Sequence, residues 1–186
     1  MVHSPVEFNA SLQTEIKKLG TVESIVAPTK MHDLYLKEWS DAFPEARLWH
    51  SPALKISGIE SSRVTELKAM KFTDDLEALP IEGMPKIQEY VFFHSPSRSL
   101  IVADLIFNVA PGRGFQKLLQ RLNGIYERTG PSKFFRQFIS NEERFKLSLI
   151  EIMKRDFENV IVGHGNNVMG RGKPALRDAF AFPGPF

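Results

Sequence analysis

The sequence contains no cysteine, which removes disulfides and thiolate-bound zinc together. Any metal must therefore be held by His, Asp or Glu, and a reducing, cytoplasmic compartment is the expected one. Charge of one sign is lacking as well: 24 Lys and Arg stand against 22 Asp and Glu, a net charge of +2. Nucleic-acid surfaces gather their basic residues into a stripe. The nearest stretch here, RGKPALR (Arg171–Arg177), reads as a solvated helix start, so no nucleic-acid partner is expected. No apolar run approaches the roughly 20 residues that span a bilayer. The opening MVHSPVEFNA has neither the basic nor the apolar region of a signal peptide. Phe is what the chain has in quantity, 15 residues against three Tyr and two Trp. That bias implies aromatic core packing or a hydrophobic surface awaiting a partner.

A length of 186 residues suits one domain, residues 1–186, with a full core. SLQTEIKKL reads as a short helix capped by Ser11 and ended by Gly20. VESIVAP is a buried strand stopped by Pro28, MHDLYLKEWSDAF is helical up to Pro44, and ARLWH is a short strand. Between Ile59 and Gln88 the Asp, Pro and Gly residues indicate short strands and loops. EYVFFH and SLIVADLIF, split by SPSR, form a hairpin. Phe115, Leu118, Leu119, Leu122, Ile125 and Tyr126 then follow the spacing of a one-sided helix. A helix starts near Pro131, and Ser140 with Glu143 forms a capping box for the next. NVIVGHG is a strand, and a last helix lies near Pro174–Phe180. The fold class is α/β.

Three segments share one pattern: SIVAPTKMHD, LIVADLIFN and NVIVGHGNN each follow an Ile/Val-rich run at once with Asp or His. Uninterrupted apolar runs suit strands covered on both faces, and ligand sites in layered α/β folds gather at strand ends. If the three ends share one sheet edge, His32, Asp33, Asp104 and His164 converge there. Such a set suits zinc, iron or manganese with positions left for water. Structural readings stand beside this one. His164 fits a glycine turn, Asp104 a helix cap, and His32 with Asp33 the cap and first turn of the following helix. His50 and His94, beside SP turns, read as surface residues, and PGRG (Pro111–Gly114) as a helix entry rather than a phosphate loop.

The string PTKMHDLYLKEW, AFPEARLW, EYVFFHSPSRSLIVADLIFN and VIVGHG resembles a domain-of-unknown-function branch of the metallo-β-lactamase-like superfamily. The resemblance runs from about His3 to Phe182. It implies an αββα sandwich with a metal site along one edge of its two sheets. It also implies that Asp104 takes the place of the bridging aspartate and His164 that of the last histidine. In the HxHxDH region Thr29 and Met31 stand at the first two histidine positions, Asp33 at the aspartate and Leu34 at the last histidine. GMPKIQE (Gly83–Glu89) offers no histidine where one is expected. One divalent ion, held by Asp104, His164 and a member of the His32–Asp33 pair, is the site this implies, or none at all. Glu89 is a candidate extra carboxylate, with pairing to Arg or Lys as its other role. Strands that precede the HSP segment in this branch are missing, so the chain is expected to be a shortened form or to cover an exposed face as a homodimer. Two functions follow: a metal-dependent hydrolase of an unknown small-molecule substrate, or a non-catalytic descendant serving as a binding or scaffold domain.

Overall fold

In the computed structural model, which describes residues 1–180, the chain builds two sheets within two units. Residues 1–67 and 86–88 form the first, and the remainder the second. The first unit carries a parallel sheet in the order β1 (Val2–His3), β2 (Ser24–Ala27), β3 (Arg47–His50) and β4 (Val64–Glu66). Two helices, α1 (Ala10–Leu19) and α2 (Leu36–Ala42), lie in its connections. Ile25, Val26 and Ala27 of β2 are all fully buried, as an uninterrupted apolar run in a two-sided parallel sheet requires. Trp39 is the centre of this unit's core. It meets Phe8 edge-on at 5.3 Å, stacks on Phe43 at 5.8 Å, and its indole N–H donates to the Val6 carbonyl at 2.7 Å.

Both helices depart from the pattern in the sequence. Asn9, not Ser11, caps α1, its Oδ1 accepting from the Leu12 N–H at 2.9 Å; Asn caps as well as Ser and lies two residues upstream. Gly20 has φ +141° and ψ −170°, so it ends the helix without the left-handed cap. The helix α2 begins only at Leu36, because residues 29–35 are taken up by turns. Its far end is tied down by Arg63, whose Nη2 donates to the carbonyls of Ser40, Phe43 and Ala46 at 3.0, 3.0 and 3.1 Å. Charged hydrogen bonds contribute about 1.5–3 kcal/mol. Arg63→Met is expected to cost that much, read as a lower urea midpoint with an unchanged slope. His50 is the first correction. It is 6% exposed, not a surface residue, and its Nδ1 lies 2.9 Å from the Ser51 carbonyl oxygen. The strand β4 pairs outside β3, so a position that looks like an outer strand end is an interior one.

The second unit holds a five-stranded sheet in the order β5 (Met70–Lys71), β6 (Leu76–Pro80), β7 (Tyr90–His94), β8 (Ser99–Asn108) and β9 (Asn159–Gly165). Neighbours are antiparallel up to β8, and β8 pairs parallel with β9. The expected hairpin is β7–β8. Among the described residues four helices belong to this unit: α3 (Gly114–Leu122), α4 (Lys133–Arg136), α5 (Glu142–Met153) and α6 (Gly172–Phe180). The helix α3 stops before Ile125 and Tyr126, since Gly124 takes φ +71°. The cap of α5 is Asn141, whose Oδ1 accepts from the Arg144 N–H at 3.0 Å, one residue beyond the Ser140 box. Among the described residues no helix is long and apolar enough to cross a membrane.

The strand ends that seemed to share an edge belong to different sheets: β2 lies in the four-stranded one, while β8 and β9 are neighbours in the five-stranded one. Sequence pattern marks β2 and β8 as covered strands, overstates the burial of β9, of which only Val160 is buried, and carries no information on which sheet they join.

Candidate metal centre

The pairing of β8 with β9 is regular from Ser99–Asn159 to Val102–Val162, then resumes at Phe107–His164. Four residues, Ala103 to Ile106, thus stand opposite a single one, Gly163. A bulge of this kind arches the strand and leaves backbone groups without ladder partners. Asp104 sits in that arch, not at the strand's end as the sequence suggested. The Ala103 and Asp104 N–H groups donate instead to the Glu89 carboxylate, to Oε1 at 2.8 Å and Oε2 at 3.0 Å. Glu89 is fully buried, and this corrects the expectation that it pairs with Arg or Lys. Burial, and secondarily the Asp104 carboxylate, raise its pKa to about 8, against backbone N–H groups that lower it. Its task is backbone completion, which residue type alone did not reveal.

Both glycines around His164 are explained by the close approach of β8, Gly163 by the arch and Gly165 by the backbone just after it. A Cβ on Gly163 would lie 3.0 Å from the Ala103 carbonyl oxygen. Gly165 takes φ +106°, and a Cβ there would lie 2.1 Å from the Asn108 carbonyl oxygen. The backbone of β8 passes close on either side, so His164 needs neighbours without side chains. Strain of about 1–3 kcal/mol attends such a conformation in a residue with a Cβ. Gly165→Ala is accordingly expected to lower the thermal midpoint by several degrees, while Gly170→Ala, with φ +70° but open space around it, loses less.

Held this way, the His164 Nε2 lies 3.1 Å from Asp104 Oδ1. The imidazole stacks flat on Phe107, with centroids 4.7 Å apart and planes within 4°. Asp104 is 12% exposed at its side chain and His164 40%, so a protected carboxylate faces an accessible ring. The turn beyond is pinned by Asn108, which accepts from Thr129 Oγ1 at 2.9 Å and donates from Nδ2 to the Asn166 carbonyl at 2.7 Å.

His32 and Asp33 lie in the first unit, in the loop between β2 and α2. The His32 N–H donates to the Thr29 carbonyl at 3.2 Å, and the Asp33 carbonyl accepts from the Leu36 N–H at 3.3 Å. His32 is half-buried and Asp33 exposed. Thr29, at one of the absent-histidine positions, is fully buried and donates through Oγ1 to the Ile87 carbonyl at 3.0 Å; its hydroxyl is a structural pin. Met31, at the other, is 45% exposed. His3 on β1 went unremarked in the sequence. Desolvation, followed by the positive potential of His32, lowers its pKa to about 3, so it is neutral at pH 7 and belongs to the same polar environment. Its position in the HSP segment was the available signal. His94, read as a surface residue, is half-buried and lies in the hairpin, its Nδ1 2.7 Å from Ser97 Oγ.

An imidazole nitrogen and a carboxylate oxygen 3.1 Å apart can bind one ion, since each bond is about 2.0–2.2 Å long. The donor set is one that zinc, iron and manganese accept.

The family model described as Domain of unknown function (DUF4336) matches residues 1–114. No curated protein matches this sequence. Solved structures do. The chemotaxis sensor ODP, described as a peroxy diiron species, is similar with a TM-score of 0.67 at 12% identity, over 97% of this chain and 81% of that one. A metallo-β-lactamase from Pontibacter korlensis has a TM-score of 0.58 at 15% identity, over 95% and 80% of the two chains. An archaeal metallo-β-lactamase superfamily protein from Sulfolobus tokodaii reaches 0.58 at 11% identity, over 87% and 68%. At these identities the likeness establishes the fold, which is metallo-β-lactamase-like, the α/β type expected from the sequence.

Proposed function

The chain belongs to the family described as Domain of unknown function (DUF4336), and we propose that it is a metal-dependent hydrolase of a small-molecule substrate, working with a single divalent ion of zinc, iron or manganese. Asp104 and His164 are two of its ligands, and a third is proposed from the His32–Asp33 pair, the role that the family resemblance implies for it. The observation that carries this reading is the 3.1 Å approach of His164 Nε2 to Asp104 Oδ1 across the bulge. A bound ion of this kind supplies a Lewis acid and a water that ionises near neutral pH.

The chain's own residues prepare the site. Glu89 fixes the Asp104 backbone through two N–H groups, and Phe107 fixes the ring plane of His164. The exposed face of that ring leaves a path for substrate. ODP is described with two irons. Thr29 and Met31 stand where this chain would need histidines for a second ion, so the proposal is for one.

A second reading, a metal-free binding or scaffold domain, is favoured by Thr29, whose hydroxyl is committed to the Ile87 carbonyl. Metal analysis of full-length protein purified without chelator separates the two. The hydrolase reading expects about one equivalent of Zn, Fe or Mn, because three protein ligands bind such ions firmly. Less than about a tenth of an equivalent, unchanged after soaking in each metal, sinks it.

A further inference from the structure

The helix α3 presents an apolar face to solvent. Phe115 is 73% exposed, Leu118 51%, Leu119 43% and Leu122 60%. At about 100° per residue these four side chains fall within an arc of about 100°. Gln120, off that arc, is the helix's buried residue. Lys117 and Arg121 lie off that arc, their cations 5.1 and 5.0 Å from the ring centre of Tyr126. Arg113 precedes the helix and is exposed. No acidic residue lies in GFQKLLQRL, and from Arg113 to Arg136 six basic residues face one acid, Glu127.

An exposed apolar face of this size on a folded domain marks an interaction site. What covers it follows from the charge and the area. A second copy of the chain would bring two basic helices together without intervening acids. Four side chains of a nine-residue helix also fall well short of the roughly 800 Å² per partner in a standard interface. A short helix with a Phe/Leu face and its remaining positions polar or basic instead has the design of an element that lies in a lipid interface. We propose that α3 docks the protein on an anionic membrane surface, with Phe115, Leu118, Leu119 and Leu122 entering the acyl boundary and the exposed Arg113 and Arg121 at its margin meeting the headgroup charge. This peripheral docking is independent of the metal centre and needs no spanning segment.

Sedimentation of the full chain with vesicles tests it, using phosphatidylcholine with about 30% phosphatidylserine against phosphatidylcholine alone. Partitioning at least about tenfold stronger onto the anionic vesicles is expected, since each nearby Lys or Arg adds about fivefold, and it should weaken as salt is raised. L118D/L122D is expected to abolish binding and R113E/R121E to reduce it at least about tenfold. Unchanged circular dichroism spectra would show both variants folded, as substitutions at exposed positions should leave them. Equal binding to both vesicle types, or none to either, overturns the proposal. So does a chain that runs as a dimer in solution and becomes monomeric in L118D/L122D, because the face then belongs to a second copy.

Discussion

Asp104→Asn and His164→Ala will each leave purified protein with less than about a tenth of an equivalent of bound metal, while wild type holds about one. Even a partner that only orients a ligand changes metal affinity by about 10–100-fold when removed, and these two are proposed as ligands themselves. Asn keeps the shape of Asp104 but loses the charge that a divalent ion needs, and Ala removes the imidazole altogether. The readout that matters is the difference between metal content and stability. Both variants, compared with wild type after chelation, should unfold within a few degrees of it, since His164 is accessible and contributes mainly the Phe107 stack. If Asp104→Asn instead unfolds much earlier while metal content is unchanged, Asp104 is a structural carboxylate and not a ligand.

The second large effect lies one step behind the site. Glu89→Leu will destabilise the protein by about 2–4 kcal/mol, because it leaves the buried N–H groups of Ala103 and Asp104 without acceptors. Each unsatisfied donor costs about 1–3 kcal/mol, partly offset because the buried carboxyl no longer has to be desolvated. For a chain of this size that is a fall of about 4–16 °C in thermal midpoint. Glu89→Gln retains one acceptor oxygen and should lose about half as much. A Glu89→Leu protein as stable as wild type would mean that the bulge finds its acceptors elsewhere, and the account of Glu89 would be wrong. Metal content supplies an independent check, since a relaxed bulge displaces Asp104 and should weaken binding by about 10–100-fold.

Some of this was legible in the residues. The Val and Ile of SIVA and LIVADLIF mark covered strands because backbone sterics and burial act locally, whereas NVIVGHG, at the edge of its sheet, buries only Val160. Asp104 stood out because a carboxylate among Ile, Val and Leu is costly without a partner. The glycines beside His164 pointed to a close backbone approach. Caps were legible only to within one or two residues, as Asn9 and Asn141 show, because Ser, Asn and Asp compete nearly equally for a helix start. Glu89 and His50 were misjudged for a different reason. The first takes its role from N–H groups 14 and 15 residues away, and the second from a neighbouring strand; neither relation leaves a mark beside the residue.

By itself the sequence determined the α/β class, the principal strands and helices, the absence of any thiolate chemistry, and which residue types are available to hold an ion. Those properties depend on side-chain type and short-range periodicity. Only the tertiary structure decided that β8 and β9 pair in parallel, that the register breaks at Gly163, and that Asp104 and His164, 60 residues apart, meet at 3.1 Å. It also decided that the apolar face of α3 is turned to solvent, where periodicity alone would have buried it. Amphipathic spacing creates an apolar stripe but does not say which neighbour, if any, will cover it; that choice is made by packing between segments far apart in the chain.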